Sequence, residues 1–590
     1  MNSKLVLSIT LIIILMSVLG VSFKVENVKA ESSIYIRVDG SVDPPTAPIL
    51  SIDNITYTFT DDVYEKIVVQ RSNIVVDGSG YTLQGSGVPF SNSIGFCLFN
   101  VNNVTIKNTN IRDFAQAVYL NSASNNTISR NNMTNNEWYG IILKSSSNNI
   151  IRENDISNNH DGIVFEESSN YNTISENNIR ENKQMGIWIS SLYDQSTASN
   201  FNNISGNNIE NNCFGIRLEW SSKNNIVGNM FTNNGLSISD SSGNFVEGNV
   251  VNGKPLVYLE DISDYTVDDA GQVILINCAN ILVEKLNLSN IDIGVNLQRT
   301  NNSIIANNKI WSNKIGIVLL NCSNSNIIGN NMTNNENGIY LQYSSNNSIC
   351  GNILVNNCDG IVLSESSYNS VFGNNITDNK YGVSVYSSSN NNITGNNIGN
   401  NYRLGIALYS SDSSIFHNNF VNNTQQVHLG SSDIVNYWND DYPSGGNYWS
   451  DYTGVDEFSG SHQNDTGFDW IGDTPYIIND NNRDNYPLID PYTLEKHGTQ
   501  VAYRNLQSNH NELQGNYDSL QAIYQNLRAA YDLLNFSYND LNTALNELKS
   551  EQEATINELN NIRNLMYIFM AATVILIATT VYITKRWVKR

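Results

Sequence analysis

One group of side chains in this sequence is suited to acid–base chemistry. The group contains Lys144, His160, Asp161, Glu166, Arg217 and Glu219. A histidine beside a carboxylate, with cations nearby, can remove a proton from a sugar uronate and return it, which gives elimination or epimerisation. The same charges can instead pair with each other on a solvated surface, where each pair contributes under about 1 kcal/mol. Both interpretations require that the fold brings these residues together.

A second group is suited to binding sugars. It consists of Trp188, Tyr340, Gln342, Tyr386 and Tyr409. An aromatic ring offers a flat apolar surface to a sugar ring, and polar neighbours can bond its hydroxyls. Aromatic residues are also common on sheet faces, where stacking between strands stabilises the fold. The sequence therefore predicts either a glycan-binding platform or a structural stack.

A third group has the spacing of metal ligands. Asp480, Asn482 and Asp484 follow the D-x-N-x-D pattern of the front half of a calcium loop. The segment lacks the glycine and the distal glutamate of that loop, so an Asx-rich turn is the other interpretation. Copper sites use clustered His, Cys or Met, whereas the His residues here are scattered along the chain. The sequence therefore favours the Asx-rich turn, leaves calcium as the one candidate cofactor and argues against copper.

A repeat of about 22 residues must position these side chains. Its marker is a glycine before an apolar-x-apolar triplet, found at Gly140, Gly162, Gly186, Gly215, Gly235, Gly294, Gly316, Gly338, Gly360, Gly382 and Gly405. A fixed period of this size indicates stacked supersecondary units. Apolar residues alternate after each glycine, as in a half-buried strand. The repeat predicts an all-β right-handed parallel β-helix, a solenoid with three short strands in each coil.

The recurring asparagines have a structural role in such a solenoid. Equivalent residues of successive coils lie about 4.8 Å apart, and Asn tolerates the left-handed backbone of turns. A ladder of Asn amides would satisfy polar groups that are otherwise buried without partners. About fourteen coils would form a rod about 65 Å long. Residues two and four positions after each repeat glycine would face outward, which places the acid–base and aromatic groups on one outer face.

The chain divides into segments of different composition. We predict a signal peptide (1–30), an N-terminal cap with the first coil (31–102), the β-helix (103–435) with a lateral insertion at about 252–270, and an acidic, aromatic C-terminal cap (436–497). Leucines from Leu506 to Leu548 recur every seven residues, which predicts a coiled-coil stalk (498–563) and a homo-oligomer. A lone helix packed on another partner is the alternative.

The end of the chain has the properties of a membrane anchor. Residues 565–584 are uncharged and would span about 30 Å as a helix. The basic tail (585–590) predicts a cytoplasmic end and an extracellular body on the plasma membrane. Glycosylation sequons in that body support export, and the candidates are Asn54, Asn103, Asn203, Asn287, Asn331, Asn375, Asn464 and Asn535. The net charge of −24 argues against nucleic acid as a partner.

Three features resemble the NosD-like β-helix proteins, whose domain is also described as a carbohydrate-binding and sugar-hydrolase repeat. They are the coils with NN-x-I-x-x-N and GIxL motifs, the NGKPL segment (252–256), and NYWNDDYPSGGNYWSDYTG (436–454). The resemblance covers about residues 34–491, and membrane-tethered proteins of this type are familiar in archaea. It implies a β-helix that binds polysaccharide or another glycan at the cell surface.

The resemblance leaves the activity open. The namesake is associated with copper delivery, for which this sequence lacks clustered ligands. Related polysaccharide lyases and uronate epimerases carry catalytic residues on one β-helix face, but residues 159–162, NHDG, match the epimerase DPHD pattern only loosely. Glycan binding is the function we expect. A uronate lyase or C5-epimerase and a purely structural envelope protein or adhesin are the alternatives.

Overall fold

The computed structural model describes residues 33–87, 93–191, 197–410, 412–493 and 556–587, and most of the residues from 520 to 540. The chain forms two compact units that divide after residue 497. The first unit contains a right-handed β-solenoid of about 16 turns, which confirms the predicted parallel β-helix. The predicted signal peptide and most of the predicted stalk lie outside the described residues.

The first half of the solenoid, residues 33–251, is called the first stack. Sheet A contains Ser33–Ile36, Lys66–Val69, Ile94–Phe99, Gln116–Asn121, Tyr139–Lys144, Asp161–Glu166, Met185–Ser190, Phe214–Glu219 and Leu236–Ser239, with Val42–Asp43 at its edge. Sheet B contains Thr56–Phe59, Ile74–Asp77, Val104–Lys107, Thr127–Ser129, Ile150–Arg152, Thr173–Ser175, Asn203–Ser205, Asn225–Val227 and Phe245–Glu247, with Ile49–Leu50 at its edge. Sheet C contains Thr82–Gln84, Asn110–Arg112, Asn132–Thr134, Asp155–Ser157, Asn178–Arg180, Asn208–Glu210, Met230–Thr232 and Val250–Val251.

The second half, the second stack, starts at residue 254. Sheet D contains Lys254–Glu260, Gln272–Ile276, Ile293–Gln298, Ile315–Leu320, Asn337–Gln342, Asp359–Ser364, Tyr381–Tyr386, Leu404–Tyr409 and Gln425–Leu429. Sheet E contains Thr266–Val267, Leu282–Glu284, Ile304–Ala306, Asn326–Ile328, Ser348–Cys350, Ser370–Phe372, Asn392–Thr394 and Ser414–Phe416. Sheet F contains Asn287–Ser289, Lys309–Trp311, Asn331–Thr333, Ile353–Val355, Asn375–Thr377, Asn397–Gly399, Asn419–Val421 and Tyr448–Trp449.

Asparagine ladders run between the coils inside the solenoid. The amide of Asn330 donates to the side-chain oxygen of Asn352 at 3.0 Å, and Asn352 donates to Asn374 at 3.0 Å. The same oxygen of Asn352 accepts the backbone N–H of Asn330 at 2.9 Å. All three side chains are buried. The predicted role of these asparagines is therefore confirmed: they satisfy the backbone at the turns.

The glycine of each repeat is required by the close approach of the next coil. A Cβ atom on Gly338 would lie 2.6 Å from the carbonyl oxygen of Gly360. Any side chain there would separate the coils, so the glycine marks where sheet D begins.

The two stacks join through a hairpin that reverses the chain. Val250–Val251 pairs antiparallel with Lys254–Glu260, and Asn252 and Gly253 form the loop between them with φ values of 50° and 82°. Asn-Gly at positive φ is the preferred two-residue hairpin loop. Lys254–Glu260 then pairs in parallel with Gln272–Ile276. The prediction of a lateral insertion at 252–270 is wrong, because this segment begins the second stack, and the solenoid is not one uninterrupted rod.

The outer face of sheet D covers the open end of the first stack. Val251 is a core residue of the first stack, and its partner across the hairpin is Lys254, which lies on the same side of sheet D as the outward residues of that sheet. Outward residues such as Ile274 and Ile276 therefore join the hydrophobic core. Gln272 accepts the N–H of Leu236 at 2.9 Å and donates to its carbonyl at 2.9 Å. The free edge of sheet A is closed by side chains.

Residues 436–493 close the other end of the second stack. Tyr448–Trp449 adds a strand to sheet F beside Asn419–Val421. The rings of Trp438 and Trp449 are almost completely buried there. The segment also contains a helical turn at Asp441–Ser444 and the hairpins Phe458–Ser459 with Asp465–Thr466 and Tyr476–Asn479 with Asn482–Asp484.

The second unit is helical where it is described. The helix Ile556–Trp587 includes a 21-residue segment, Arg563–Ile583, that is long and apolar enough to cross a membrane. The described residues from 520 to 540 are also helical. The coiled-coil association, the membrane orientation and the cytoplasmic tail stay predictions.

Candidate functional site

The outer face of sheet A carries the predicted acid–base residues. Lys144 lies beside Glu166 in the strand register, and Trp188 lies beside Arg217. Glu219 follows in the same outward column as Lys144 and Glu166. Asp161 begins the strand that carries Glu166, and His160 precedes it. The fold thus brings all six predicted residues, and Trp188, to one face of the first stack.

Ion pairs engage the cations of this face. The Lys144 ammonium lies 2.8 Å from the carboxylate of Glu167, and Arg217 is paired with Glu219. The Trp188 indole N–H donates to the second Glu219 oxygen at 3.0 Å. Glu219 therefore holds an aromatic ring and a guanidinium side by side. These contacts match the interpretation of paired surface charges more closely than that of an open acid–base cleft.

A histidine–carboxylate pair stands at the edge of the same face. Nδ1 of His160 lies 2.8 Å from Oδ2 of Asp161, whose other oxygen accepts the Met185 N–H at 2.8 Å. Asp161 is buried and lies beside Tyr139 in the register. Burial raises the pKa of Tyr139, and the nearby carboxylates of Glu166 and Asp161 raise it further.

Sequence reasoning missed Tyr139 as a member of this group. Its position directly before the repeat glycine Gly140 was the available signal, because Asp161 occupies the equivalent position in the next coil. Burial also raises the pKa of Glu166. The edge of the face thus holds a phenol and two carboxyl groups in a partly desolvated environment.

The tyrosines of sheet D are arranged differently from the predicted platform. Tyr386 and Tyr409 stack with their centroids 4.8 Å apart and their planes 10° apart, and the His428 ring lies 5.7 Å from Tyr409. Tyr340 lies in the other outward column, beside Val362 in the next coil. Gln342 shares the column of Tyr386, two coils away. Tyr386 and Tyr409 cover each other, so part of their ring surface is already used within the fold.

The predicted calcium residues lie in the C-terminal cap. The side-chain oxygen of Asn482 accepts the N–H of Asn436 at 2.9 Å and the Trp438 indole N–H at 3.1 Å. Asp484 is buried and accepts the backbone N–H of Asn447 at 2.7 Å. Asp480 is exposed at the hairpin tip. Two of the three predicted ligands thus bond N–H donors, and calcium binding stays a prediction.

The sequon asparagines remain outside the core. None of the eight is buried, including Asn535 in the helical unit. Glycosylation at these positions stays a prediction.

The sequence matches one protein family, described as periplasmic copper-binding protein (NosD). The matches cover residues 36–242, 192–270, 260–404 and 351–454, and together they span more than two thirds of the chain. This chain belongs to the NosD family. The resemblance found in the coils, the NGKPL segment and the aromatic cap is thereby confirmed. No match is found among curated proteins.

Several solved structures show a distant similarity to this NosD-family chain. The A-module of mannuronan C-5 epimerase AlgE4 from Azotobacter vinelandii is 14% identical, with 62% of this chain and 91% of that chain covered and a TM-score of 0.25. The periplasmic alginate epimerase AlgG is 13% identical, with 66% and 78% covered and a TM-score of 0.24. A tailspike protein mutant of E. coli bacteriophage HK620 is 11% identical, with 65% and 69% covered and a TM-score of 0.26.

The described residues of this chain do not fit the copper that the family description implies. Copper sites gather His, Cys or Met ligands. No group of three or more His, Cys, Asp or Glu suited to a metal occurs in the described part of the chain. His160 is engaged by Asp161, and His417 stacks on Tyr492 with its Nε2 at 2.9 Å from the Ser444 carbonyl. We derive no step through copper.

Proposed function

We propose that this NosD-family protein is a membrane-anchored, archaeal-type cell-surface protein that binds polysaccharide on the outer face of sheet A. One observation carries the proposal: the Trp188 indole is half-buried and held by Glu219, next to the Arg217 guanidinium. A fixed aromatic ring flanked by donors and acceptors can stack on a sugar ring and bond its hydroxyls with little loss of side-chain freedom.

The charge of the face favours an uncharged sugar. Lys144 and Arg217 already have carboxylate partners, so a uronate would have to displace an existing ion pair. Hydroxyl groups can bond to the same paired charges without displacing them. The apolar helix Arg563–Ile583 supports the proposed tether, with the solenoid outside the cell.

Replacing Trp188 with alanine is expected to weaken glycan binding by the full-length protein about tenfold or more, because a central aromatic contact contributes at least about 1–2 kcal/mol. Calorimetric titration with the glycan selected on an array measures the loss. Trp311→Ala is the matched control, since the Trp311 indole is also anchored, to Asn287 at 3.0 Å, but on sheet F. Equal affinity of wild type and Trp188→Ala would refute the assignment of this face.

Uronate elimination or epimerisation is the second candidate function. The His160–Asp161 pair beside Tyr139 favours it, since these groups can supply a base and an acid to one sugar ring. If the reaction occurs, His160→Ala should lower the rate of product formation from a polyuronate at least about a hundredfold. His428→Ala, on the other stack, is the control. Unchanged polyuronate after prolonged incubation with the wild type counts against this function.

A further inference from the structure

A groove lies where the two stacks meet, next to the outer face of sheet A, because its residue Trp220 directly follows Glu219. It is formed by the turns after sheet A in the first stack and the turns after sheet D in the second, and its volume is about 680 Å³. Its lining includes Phe201, Trp220, Lys223, Asp240, Asp261 and Arg299. Ligand pockets in proteins commonly measure about 300–1,000 Å³. The reversal of the chain at the hairpin creates this concavity, which a continuous solenoid would lack.

Two aromatic side chains occupy turn positions that disfavour them. Trp220 and Phe201 have φ values of 55° and 58°, in the left-handed region. That region costs a residue other than Gly, Asn or Asp about 1–2 kcal/mol. In other coils the position of Trp220, also at positive φ, is held by Ser145, Asn321 and Tyr343. The Trp220 and Phe201 side chains are 43% and 44% exposed, so core packing does not explain their presence.

Polar groups of both signs surround the rings. Lys223 and Arg299 form no ion pair within 4.0 Å in the part of the chain that the structure describes. The Lys223 ammonium lies 5.4 Å from the centre of the Phe201 ring, whose other neighbour is Tyr171, stacked at 5.1 Å. Asp240 of the first stack and Asp261 of the second also line the groove and supply acceptors. Donors and acceptors therefore both line the groove that holds the exposed indole.

We propose that this groove is a saccharide subsite that binds an uncharged hexopyranose unit of a glycan. Trp220 stacks on the sugar ring, Lys223 and Arg299 donate hydrogen bonds to its hydroxyls, and Asp240 and Asp261 accept from them. The lining holds two cations, Lys223 and Arg299, and three carboxylates, Asp240, Asp261 and Glu260, and this excess of negative charge favours a neutral sugar over a uronate. That the ligand is a saccharide rests on the proposed function, whereas the position of the binding groove at the junction of the two stacks does not.

Trp220→Asn is the decisive variant. Asparagine is favoured in the left-handed turn, so the variant should fold at least as well as the wild type while it lacks the ring. Tyr343→Asn is the matched control, because Tyr343 has φ 51° at the equivalent turn of the second stack and does not line the groove. Calorimetry on the full-length protein uses neutral hexose oligosaccharides and, separately, a polyuronate, each at low and high salt.

The expected result is a loss of about tenfold or more in affinity for a neutral oligosaccharide in Trp220→Asn, a smaller loss in Arg299→Gln, and none in Tyr343→Asn. Affinity should change little with salt. If Trp220→Asn binds the oligosaccharide as tightly as the wild type, the groove is not a subsite. If Trp188→Ala loses affinity in the same experiment, the proposed function of the outer face of sheet A still holds. Salt-sensitive binding of only the polyuronate overturns the neutral ligand class. A wild type that binds no glycan defeats both this inference and the proposed function.

Discussion

Replacing Gln272 with leucine is expected to destabilise the closed end of the first stack by about 3 kcal/mol. Gln272 is fully buried, and it bonds both the N–H and the carbonyl of Leu236 and also the Ile293 carbonyl at 2.9 Å. Leucine has a similar volume but no polar atoms, so these backbone groups would be left without partners. Each buried group without a partner costs about 1–3 kcal/mol.

Hydrogen exchange at Leu236 in the full-length protein measures the effect at the site itself. The Leu236 amide should exchange about a hundredfold faster in Gln272→Leu, since about 3 kcal/mol corresponds to that factor in an opening equilibrium. Gln342→Leu is the control, because Gln342 is partly exposed on the same sheet and lies away from the junction. Equal exchange in both variants would show that sheet D does not close sheet A.

This closure solves a general problem of solenoids. The last strand of an open sheet presents unpaired N–H and carbonyl groups that can pair with other chains. Here Gln272 bonds one residue of Leu236–Ser239, and Asn296 donates to the carbonyl of Ile238 at 3.3 Å. Asp292 accepts the N–H groups of Gly215 and Gly235 at 3.0 and 3.3 Å, and burial raises its pKa to about 7. The second stack is therefore the end cap of the first.

The repeating part of the fold could be predicted because each of its features recurs every coil. A glycine that meets the carbonyl of the next coil, as at Gly338, leaves the same signal many times in the sequence. The inward and outward positions follow from the period-two alternation. The single event at residues 252–253 was also visible as an Asn-Gly pair. The sequence does not show that the hairpin lets sheet D cover the open end of the first stack, because that arrangement depends on contacts between residues far apart in the chain.

The sequence predicts which face of the solenoid carries the candidate site, but not which side chains contact each other there. Counting from the repeat glycine places Trp188 and Glu166 outward on sheet A, as the structure has them. The sequence does not reveal that Glu219 holds Trp188, since long side chains can choose among several partners. Nor does it reveal that the rings of Tyr386 and Tyr409 stack on each other. The groove at the stack junction exists only after the chain reverses.

The stability of the C-terminal cap is expected to depend on pH through Asp484. Burial raises the pKa of this carboxyl to about 7, although it accepts N–H donors from Asn447, Trp449 and Tyr486. The unfolded chain releases the same proton near pH 3.9. Between about pH 4 and pH 7 the folded protein therefore binds the proton more tightly. The free energy of unfolding should fall as pH rises through this window, by up to about 1.4 kcal/mol per pH unit.

Asp484→Asn should remove this pH-dependent contribution to the free energy of unfolding. The unfolding free energy of the wild type minus that of the variant should therefore fall between pH 4 and pH 7 and stay level above pH 7. Urea unfolding of the full-length protein, followed by tryptophan fluorescence, reports on the cap because Trp438 and Trp449 are buried within it. Asp480→Asn, at the exposed hairpin tip, should retain the wild-type slope. A difference that is constant with pH would contradict the role of Asp484.

Calcium gives a separate outcome for the same segment. If calcium stabilises the wild type but not Asp480→Asn, the segment is a calcium loop. The N–H donors and a metal ion compete for the same oxygens, so the two roles exclude each other.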